Sequence, residues 1–426
     1  MIGLDIHNLA SELWPLNRSI TGEGLRESLQ IISKHIPNLS IKSVPSGTNV
    51  FDWEIPKEWY VKEAYIITPN GEKICDFSEN NLHLLGYSIS FKGEVSLKKL
   101  KKHLYTLPES PDAIPYITSY YEERWGFCLS HNQLKSLKEG NYIVHIDTKK
   151  FNGVLNYGEL LVKGNREEEI FLSTYICHPS MANDQLSGPT VLTYLVKWIM
   201  QLENPEYSYR IVFIPETIGS ITYLSLHYKE MKNKVIAGFC ISCIGDERSF
   251  SYLPSRNGET ISDVVAKHVL YWTDHNYDSY TWLDRGSDER QYCAPGIDLP
   301  IATIMRSKYA HFAEYHTSLD DLVNVVTPEG LDGGYWVLRR AIEAIERNKK
   351  YKVSVLCEPQ MSKRGLYPSL STKTSVKPVK LMMNFISLCD GKTSLIEIAN
   401  KLNMPIWELY DLVDKLESHN LITTYK

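Results

Sequence analysis

An imidazole and a carboxylate stand six residues apart at His178 and Asp184, in the segment HPSMANDQLSG. Both are ligands that zinc prefers, the imidazole in its neutral form. The run ahead of them, Ile170–Cys177, is short, apolar and rich in β-branched and aromatic residues, which suits a buried strand. The segment itself has the Pro, Ser, Asn and Asp of a turn. Ser187-Gly188-Pro189 then opens a helix, with Ser187 placed as the cap and Pro189 in the first turn. Val191, Leu192, Leu195, Val196 and Ile199 form its apolar face. A strand that stops at such a pair just before a helix puts polar side chains at the carboxyl edge of a sheet, where open α/β sheets build their sites. Taken alone, the pair is equally a loop with one exposed His and one Asx turn.

The motif narrows that choice. His178 followed by ANDQLSG resembles the metal-binding turn of the M28 zinc aminopeptidases, H…G-A-N-D-N-x-S-G. YHTSLDD at Tyr315–Asp321 resembles the Y-H-T-x-x-D-x ending of the same family. The resemblance implies that His178, Asp184 and His316 are metal ligands. M28 enzymes also carry a Glu pair at a strand end, a general base followed by a ligand. Here Pro215-Glu216-Thr217 takes that place, so one carboxylate survives. Glu216 is the base if it is the first member, with Thr217 replacing a ligand, and it binds metal if it is the second. The base is favoured, because hydrolysis needs a group to take a proton from water.

The family's third motif, an Asp in an l-D-m-x-G strand, falls at Ser242. Asp246, just beyond, is either its substitute or a partner of Arg248. His311 is a further candidate without a family counterpart. Arg285–Glu289 with Gly296-Ile297 resembles the family's S-D-H-x-x-F…G-I-P segment, with Glu289 where a His is common. The resemblance to M28 covers roughly Leu25–Ser43 and Asn141–Asn348. The whole chain, including NRSITGEG at Asn17–Gly24 and SYYEERWGFC at Ser119–Cys128, resembles a bacterial family with an aminopeptidase-like domain. Members of that family are often associated with surface-polysaccharide genes.

A chain of 426 residues exceeds one ordinary domain, and 43% hydrophobic with 23% charged residues is a globular composition. The net charge of -5 gives no global reason to expect nucleic acid or an anionic membrane as partner. The first residues, MIGLDIHNLASELW, lack a basic stretch followed by an apolar one, so no signal peptide is expected. No apolar run approaches the roughly 18–20 residues that span a bilayer. The eight cysteines are scattered, which fits buried thiols in a reducing cytoplasm. Cys240 and Cys243 form a C-x-x-C, but on a strand, expected over Val235–Ile244, they would face opposite ways and make no redox pair.

The elements expected around these motifs are those of an α/β protein. Helical sequence runs from Ile6 to Ile36, broken near Trp14–Asn17; Arg18 and Glu23 in the break form a surface ion pair or reach a polar site. From about Val44 to Ile143 short β-like runs take over, with Asn70-Gly71 as a hairpin turn and Val95–Leu104 as a lone helix. This stretch reads as a β-rich insert, which is expected to sit near the site with Tyr120 and Trp125. Asn141–Ile146, Gly153–Val162, Arg210–Ile214 and Leu299–Ile304 read as further strands, Ile261–Thr273 as a helix, and Thr327-Pro328 caps a long helix to about Asn348. Alternating strands and helices imply a mixed, mainly parallel sheet flanked by helices, M28-like in the light of the motifs.

Residues 1–43 and 144–355 are thus expected to form a discontinuous aminopeptidase-like domain, 44–143 the insert, and 366–426 a winged helix-turn-helix after a linker at Glu358–Pro378. The second tail helix, Ile406–Asn420, has an apolar stripe of Ile406, Leu409, Val413 and Leu416. Its other face carries Glu408, Asp411, Asp414 and Glu417 against a single Lys415. DNA-reading helices need cations near phosphates, so docking on the enzyme or a partner is expected instead.

The activity implied is that of a cytoplasmic zinc hydrolase cleaving a peptide or amide bond in a small substrate, with a place in surface-polysaccharide metabolism. One tightly held zinc is expected rather than the family's pair, because two carboxylates are missing. The rival is a binding or regulatory protein that kept the fold and lost the activity.

Overall fold

The computed structural model describes residues 1–366 and 373–425. Its centre is an eight-stranded mixed sheet. In chain order the strands are β1 (Ser40–Pro45), β2 (Val154–Val162), β3 (Glu169–Tyr175), β4 (Ser208–Ile214), β5 (Val235–Cys240), β6 (Ser251–Leu253), β7 (Asp278–Ser279) and β8 (Ile301–Met305). In space they run β1-β2-β4-β3-β5-β8-β6-β7. The four central strands, β4, β3, β5 and β8, are parallel. β1 and β2 add an antiparallel edge on one side, and β6 turns antiparallel on the other. Every residue of β3 and β4 is buried. Such strands are covered on both faces, which is why they read as continuous apolar runs.

Alternation along the strands divides the core in two. Ile170 and Leu172 of β3 face one layer with Ile211 and Phe213 of β4. That layer is closed by the helices α1 (Ile2–Leu13), α2 (Glu23–His35), α3 (Ser187–Ile199), α5 (Ile261–Thr273) and α6 (Pro328–Arg347). Phe171, Val212 and Ile214 face the other layer, against α4 (Ile218–Lys234) and the insert. The sheet is therefore mixed, mainly parallel and flanked by helices, the fold class read from the sequence. Strand β5 stops at Cys240, four residues short of its expected end, and Cys243 follows in a left-handed backbone conformation (φ 49°). All eight cysteines are free, and seven are buried.

The insert carries a four-stranded antiparallel sheet in the order Lys73–Ile74, Glu58–Ile67, Asn141–Phe151, Phe91–Ser96. The Asn70-Gly71 turn is as read: Ile67 faces Lys73 across it, and Gly71 supplies the positive φ of 84°. The strand begun at Asn141 runs to Phe151 and pairs on both sides with insert strands. We therefore propose the boundary of the insert after Phe151. The helix expected from Val95 starts only at Leu97, because Val95 and Ser96 complete the pairing of Phe91–Ser96 with Asn141–Ile146.

At the other end, Lys350–Val353 forms the middle strand between Asp390–Ser394 and Ile422–Tyr425. Helices Lys373–Leu388, Leu395–Leu402 and Tyr410–Ser418 complete this winged unit. The linker expected at Glu358–Pro378 lies partly outside the described residues, and the first of these helices begins within it. Ile406, Leu409, Val413 and Leu416 are all buried, in a core continuous with that under α5 and α6. His268 on α5 reaches Asn400 with Nδ1 (2.7 Å), and its Nε2 accepts the Ile406 N–H (2.9 Å). Arg347 on α6 pairs with Asp414, and Arg340 lies 4.6 Å over the Trp407 ring. The winged unit is thus docked on the main domain. Among the described residues no helix is long and apolar enough to cross a membrane.

The docking separates two substitutions. Leu409→Ala, at a fully buried position, is expected to cost about 2–5 kcal/mol in denaturant unfolding. Asp414→Ala, whose carboxylate is 58% exposed, is expected to cost less than about 1 kcal/mol in the same measurement.

Candidate metal and catalytic site

The parallel strands deliver their residues to one edge. His178 follows β3 by three residues, Glu216 follows β4 by two, and the loop after β8 brings His316 back to both. The His178 N–H donates to the side-chain oxygen of Gln185, and its carbonyl accepts from Nε of Arg18 (3.0 Å). Arg18 is wholly buried, and burial lowers its guanidinium to about 9. It makes no pair with Glu23, which binds Arg26 instead (2.8 Å). Of the two roles open to Arg18, the structure shows the inward one.

The turn that carries Asp184 is a single π-helical turn, Ala182–Leu186. Two buried carboxylates hold it. Asp320 accepts the backbone N–H groups of Asn183 (2.7 Å) and Asp184 (2.8 Å), and Asp246 accepts from Nδ2 of Asn183 (2.9 Å). Burial pushes the Asp320 carboxyl up, and these two N–H groups pull against it. Ser187, expected as the helix cap, lies inside the helix. Its hydroxyl donates to Asn183 O (2.7 Å) and accepts from the Ile244 N–H (3.0 Å). Gly188 beside it allows α3 to touch the sheet, since a Cβ there would lie 2.5 Å from the Ile241 carbonyl oxygen.

His316 is held by the insert. The Tyr116 N–H donates to the His316 carbonyl (2.8 Å), and the Ser318 N–H donates to Ile114 O (2.9 Å). Ser318 Oγ accepts the Ile114 N–H (3.0 Å). His316 itself sits at φ 54°, a conformation costing about 1–3 kcal/mol outside glycine that such surroundings must impose.

Side-chain nitrogen and oxygen atoms of His178, Asp184 and His316 all lie within 4.8 Å of one another. His316 Nε2 is 2.9 Å from Asp184 Oδ2. That oxygen is buried without a well-aligned hydrogen bond, while Oδ1 accepts from the Tyr175 hydroxyl. Burial lowers His178 to about 4, so its ring is neutral with a lone pair to give. Burial would raise Asp184, but His316, His178 and Tyr175 outweigh it and hold the carboxylate at about 2. A neutral imidazole, an ionised carboxylate with one bare oxygen and a second histidine are a donor set that fits zinc.

Glu216 stands beside that cluster and outside it, with Oε2 3.7 Å from His178 Nε2. Its Oε1 accepts from Ser287 Oγ (2.7 Å). Burial, then the charges of Asp288 and Asp184, push its carboxyl well above the ordinary range against that hydrogen bond. Thr217 turns elsewhere: its N–H donates to Asp288 Oδ1 (2.7 Å) and its hydroxyl accepts from Arg290 (2.8 Å). Asp246 supports the turn rather than joining the donor cluster, and it accepts the backbone N–H of Arg248, whose guanidinium pairs with Glu314. Ser242 is buried, with an unpartnered hydroxyl. His311 is exposed and packs edge-on to Tyr280 at 5.0 Å. Glu289 is buried, and its Oε1 accepts from the N–H groups of Gly286 and Ser287, which shapes the loop behind Glu216.

A cavity of about 260 Å³ opens over these groups, walled by Trp53, Tyr116, Thr118, Tyr120 and Tyr121 of the insert and by Ile20. Of the two insert aromatics expected here, Tyr120 is in the wall. Trp125 is not; it stacks on Phe91 and His103 inside the insert. Sequence reasoning missed Tyr175, Tyr116 and the part played by Asp320. Asp320 lies within the YHTSLDD motif, which was a signal; Tyr116 and Tyr175 offered none.

The fold is aminopeptidase-like. A zinc aminopeptidase of Bacillus subtilis superposes with a TM-score of 0.59 at 11% identity, covering 82% of this chain and 96% of that one, and an M28 peptidase shares the same fold. The chain belongs to the family described as domain of unknown function DUF4910, matched over residues 7–348, with a winged helix-turn-helix matched over 349–424. A Clostridium acetobutylicum protein, named for polysaccharide biosynthesis and an aminopeptidase-like domain, is 43% identical over 97% of this chain and 95% of its own length. A crystal structure of a C. acetobutylicum protein called a peptidase is 41% identical with a TM-score of 0.93, covering 99% of this chain and 96% of that one.

Asp320→Asn tests the support of the turn. It sets an NH₂ group against one of two backbone N–H donors, so zinc affinity is expected to fall about 10–100-fold in competition with a chelator. Unchanged affinity would remove Asp320 from the support.

Proposed function

We propose that this protein is a zinc-dependent hydrolase of the aminopeptidase type, cleaving a peptide or amide bond. The observation that carries the reading is the convergence of His178, Asp184 and His316, with a carboxylate, Glu216, beside them but not among them. The zinc aminopeptidase fold and the aminopeptidase-like domain in the name of the C. acetobutylicum relative support it. That name also supports a place in polysaccharide metabolism, and the eight free thiols suit the cytoplasm.

His178, Asp184 and His316 would hold the zinc. Bound there, it supplies a Lewis acid that makes water a nucleophile at neutral pH. The residues of the chain do the rest. Ser287 fixes one oxygen of Glu216, leaving Oε2 to accept a proton from the attacking water and return it to the leaving amine. Tyr116 and Tyr120, hydroxyl to hydroxyl at 2.8 Å, close the pocket beside the histidines.

One zinc is the stoichiometry this arrangement favours. The Tyr175 hydroxyl occupies the second oxygen of Asp184, and Thr217 and Ser242 stand where further carboxylates would be needed. Those replacements are also what favours the second reading, a binding or regulatory protein with reduced activity. Zinc without amidase turnover would select it.

Two variants check the assignment. His316→Ala is expected to abolish binding of the single zinc, read by metal analysis of the purified protein; an unchanged content would rule the site out. Glu216→Gln is expected to keep the zinc and to lower amide turnover about 10²–10⁴-fold. If Glu216 is a ligand instead, zinc and turnover fall together, and full activity would sink both roles.

A further inference from the structure

The pocket wall shows more than an entrance. Hairpin strands Asn49–Val50 and Trp53–Glu54 present Phe51 and Trp53 at the tip, 56% and 39% exposed. Phe51 sits at φ 52°, an uncommon place for a bulky residue, and packs edge-on to Tyr228 of α4 at 5.8 Å. That contact fastens the hairpin to the main domain. Trp53 then meets Tyr121, itself 60% exposed, edge-on at 5.8 Å, and both line the pocket. Exposed rings joined to a catalytic pocket are a recognition surface rather than a core.

We propose that Trp53 and Tyr121 form a subsite for an uncharged sugar ring whose N-acyl group reaches the metal site. The substrate class is then an N-acylated amino sugar, a statement that rests on the hydrolase reading above. Three features favour it. The ring faces carry negative charge, which attracts the C–H face of a pyranose. Thr118, Tyr116, Tyr120 and Tyr121 share the wall with Trp53, so hydroxyl-bearing side chains stand among the aromatic rings, which suits a ligand with an apolar face and a polar rim. The lining has no lysine or arginine, so it offers no cation to a carboxylate chain end, and its one carboxylate, Glu216, is the group assigned to the water.

An extended peptide is the weaker occupant. Such a ligand binds by adding to an open strand edge. Here the backbone beside the pocket is already used, since Pro115 bridges Thr317 and the Tyr116 N–H is bonded to His316 O. A volume of about 260 Å³ also suits one ring and its acyl group better than several residues. In the reaction the amide C–N bond breaks, water adds its oxygen to the acyl carbon, and the amine nitrogen takes the proton that Glu216 returns. The products are a carboxylic acid and the free amino sugar.

The test is calorimetric titration of the zinc-loaded full chain, as Glu216→Gln to prevent turnover, with triacetylchitotriose and separately with leucinamide. Saturable binding of the sugar is expected, weakened about tenfold or more by Trp53→Ala and by Tyr121→Ala with zinc content unchanged. Binding of leucinamide in place of the sugar, weakened by the same variants, would overturn the proposal. The two readings fail separately. Sugar binding without acetate release by the unmutated enzyme keeps the subsite and removes the hydrolysis. Peptide amide turnover without sugar binding keeps the hydrolysis and overturns the subsite.

Discussion

The site depends on one constraint, that Asp184 be ionised, buried and left with an unbonded oxygen. Transfer of a carboxylate from water costs several kcal/mol after relaxation, so its neighbours must supply the compensation. Tyr175 gives one hydrogen bond, and the His316 nitrogen stands close to the other oxygen. The remaining work is done on the backbone. Asp320 takes two successive N–H groups of the π-helical turn, Asp246 takes the Asn183 side chain, and Ser187 ties the turn to Ile244 in the loop beyond β5. Each bond fixes where Asp184 points without touching its free oxygen. Asp184 itself leaves helical backbone angles (φ -98°, ψ 55°), so the break in the turn helps to set where its carboxylate points.

The insert supplies the second constraint. His316 lies on a long irregular connection between β8 and α6, and such a segment is normally mobile. Here its backbone pairs with Ile114–Tyr116, so one strip of insert both holds a candidate ligand and carries the ring of Tyr116 against both histidines, at 5.1 and 5.2 Å. Pocket wall and donor geometry are therefore coupled. A change in the insert is felt at the candidate metal site through that strip, and not only through the shape of the pocket.

The sheet, most helices and the four residues that converge at the candidate site were legible because each leaves a local mark. Apolar runs mark β3 and β4, Thr327-Pro328 marks the start of α6, and Asn70-Gly71 marks a turn. What was not legible is set by distant partners. Ser187 looks like a cap and behaves as a brace, because Ile244 lies across from it. Val95 looks helical and is a strand residue, because Asn141–Phe151 runs alongside. Arg18 could have been a surface charge until the His178 carbonyl was seen to face it. Tyr116 carries no motif at all; its place follows from a pairing over about 200 residues of chain, which no spacing rule reaches.

The winged unit shows the same logic on the outer side of the molecule. Its last helix, Tyr410–Ser418, and the turn before it at Ile406–Leu409 bury Ile406, Leu409, Val413 and Leu416 and leave Glu408, Asp411 and Asp414 exposed. On that face a single lysine, Lys415, stands among the carboxylates, and a row of carboxylates set against a phosphate backbone is repelled. The inward contacts, by contrast, are specific. Both ring nitrogens of His268 are engaged by the unit, and Arg340 and Arg347 reach it from α6. The winged unit thereby extends the hydrophobic core beneath α5 and α6 and covers it.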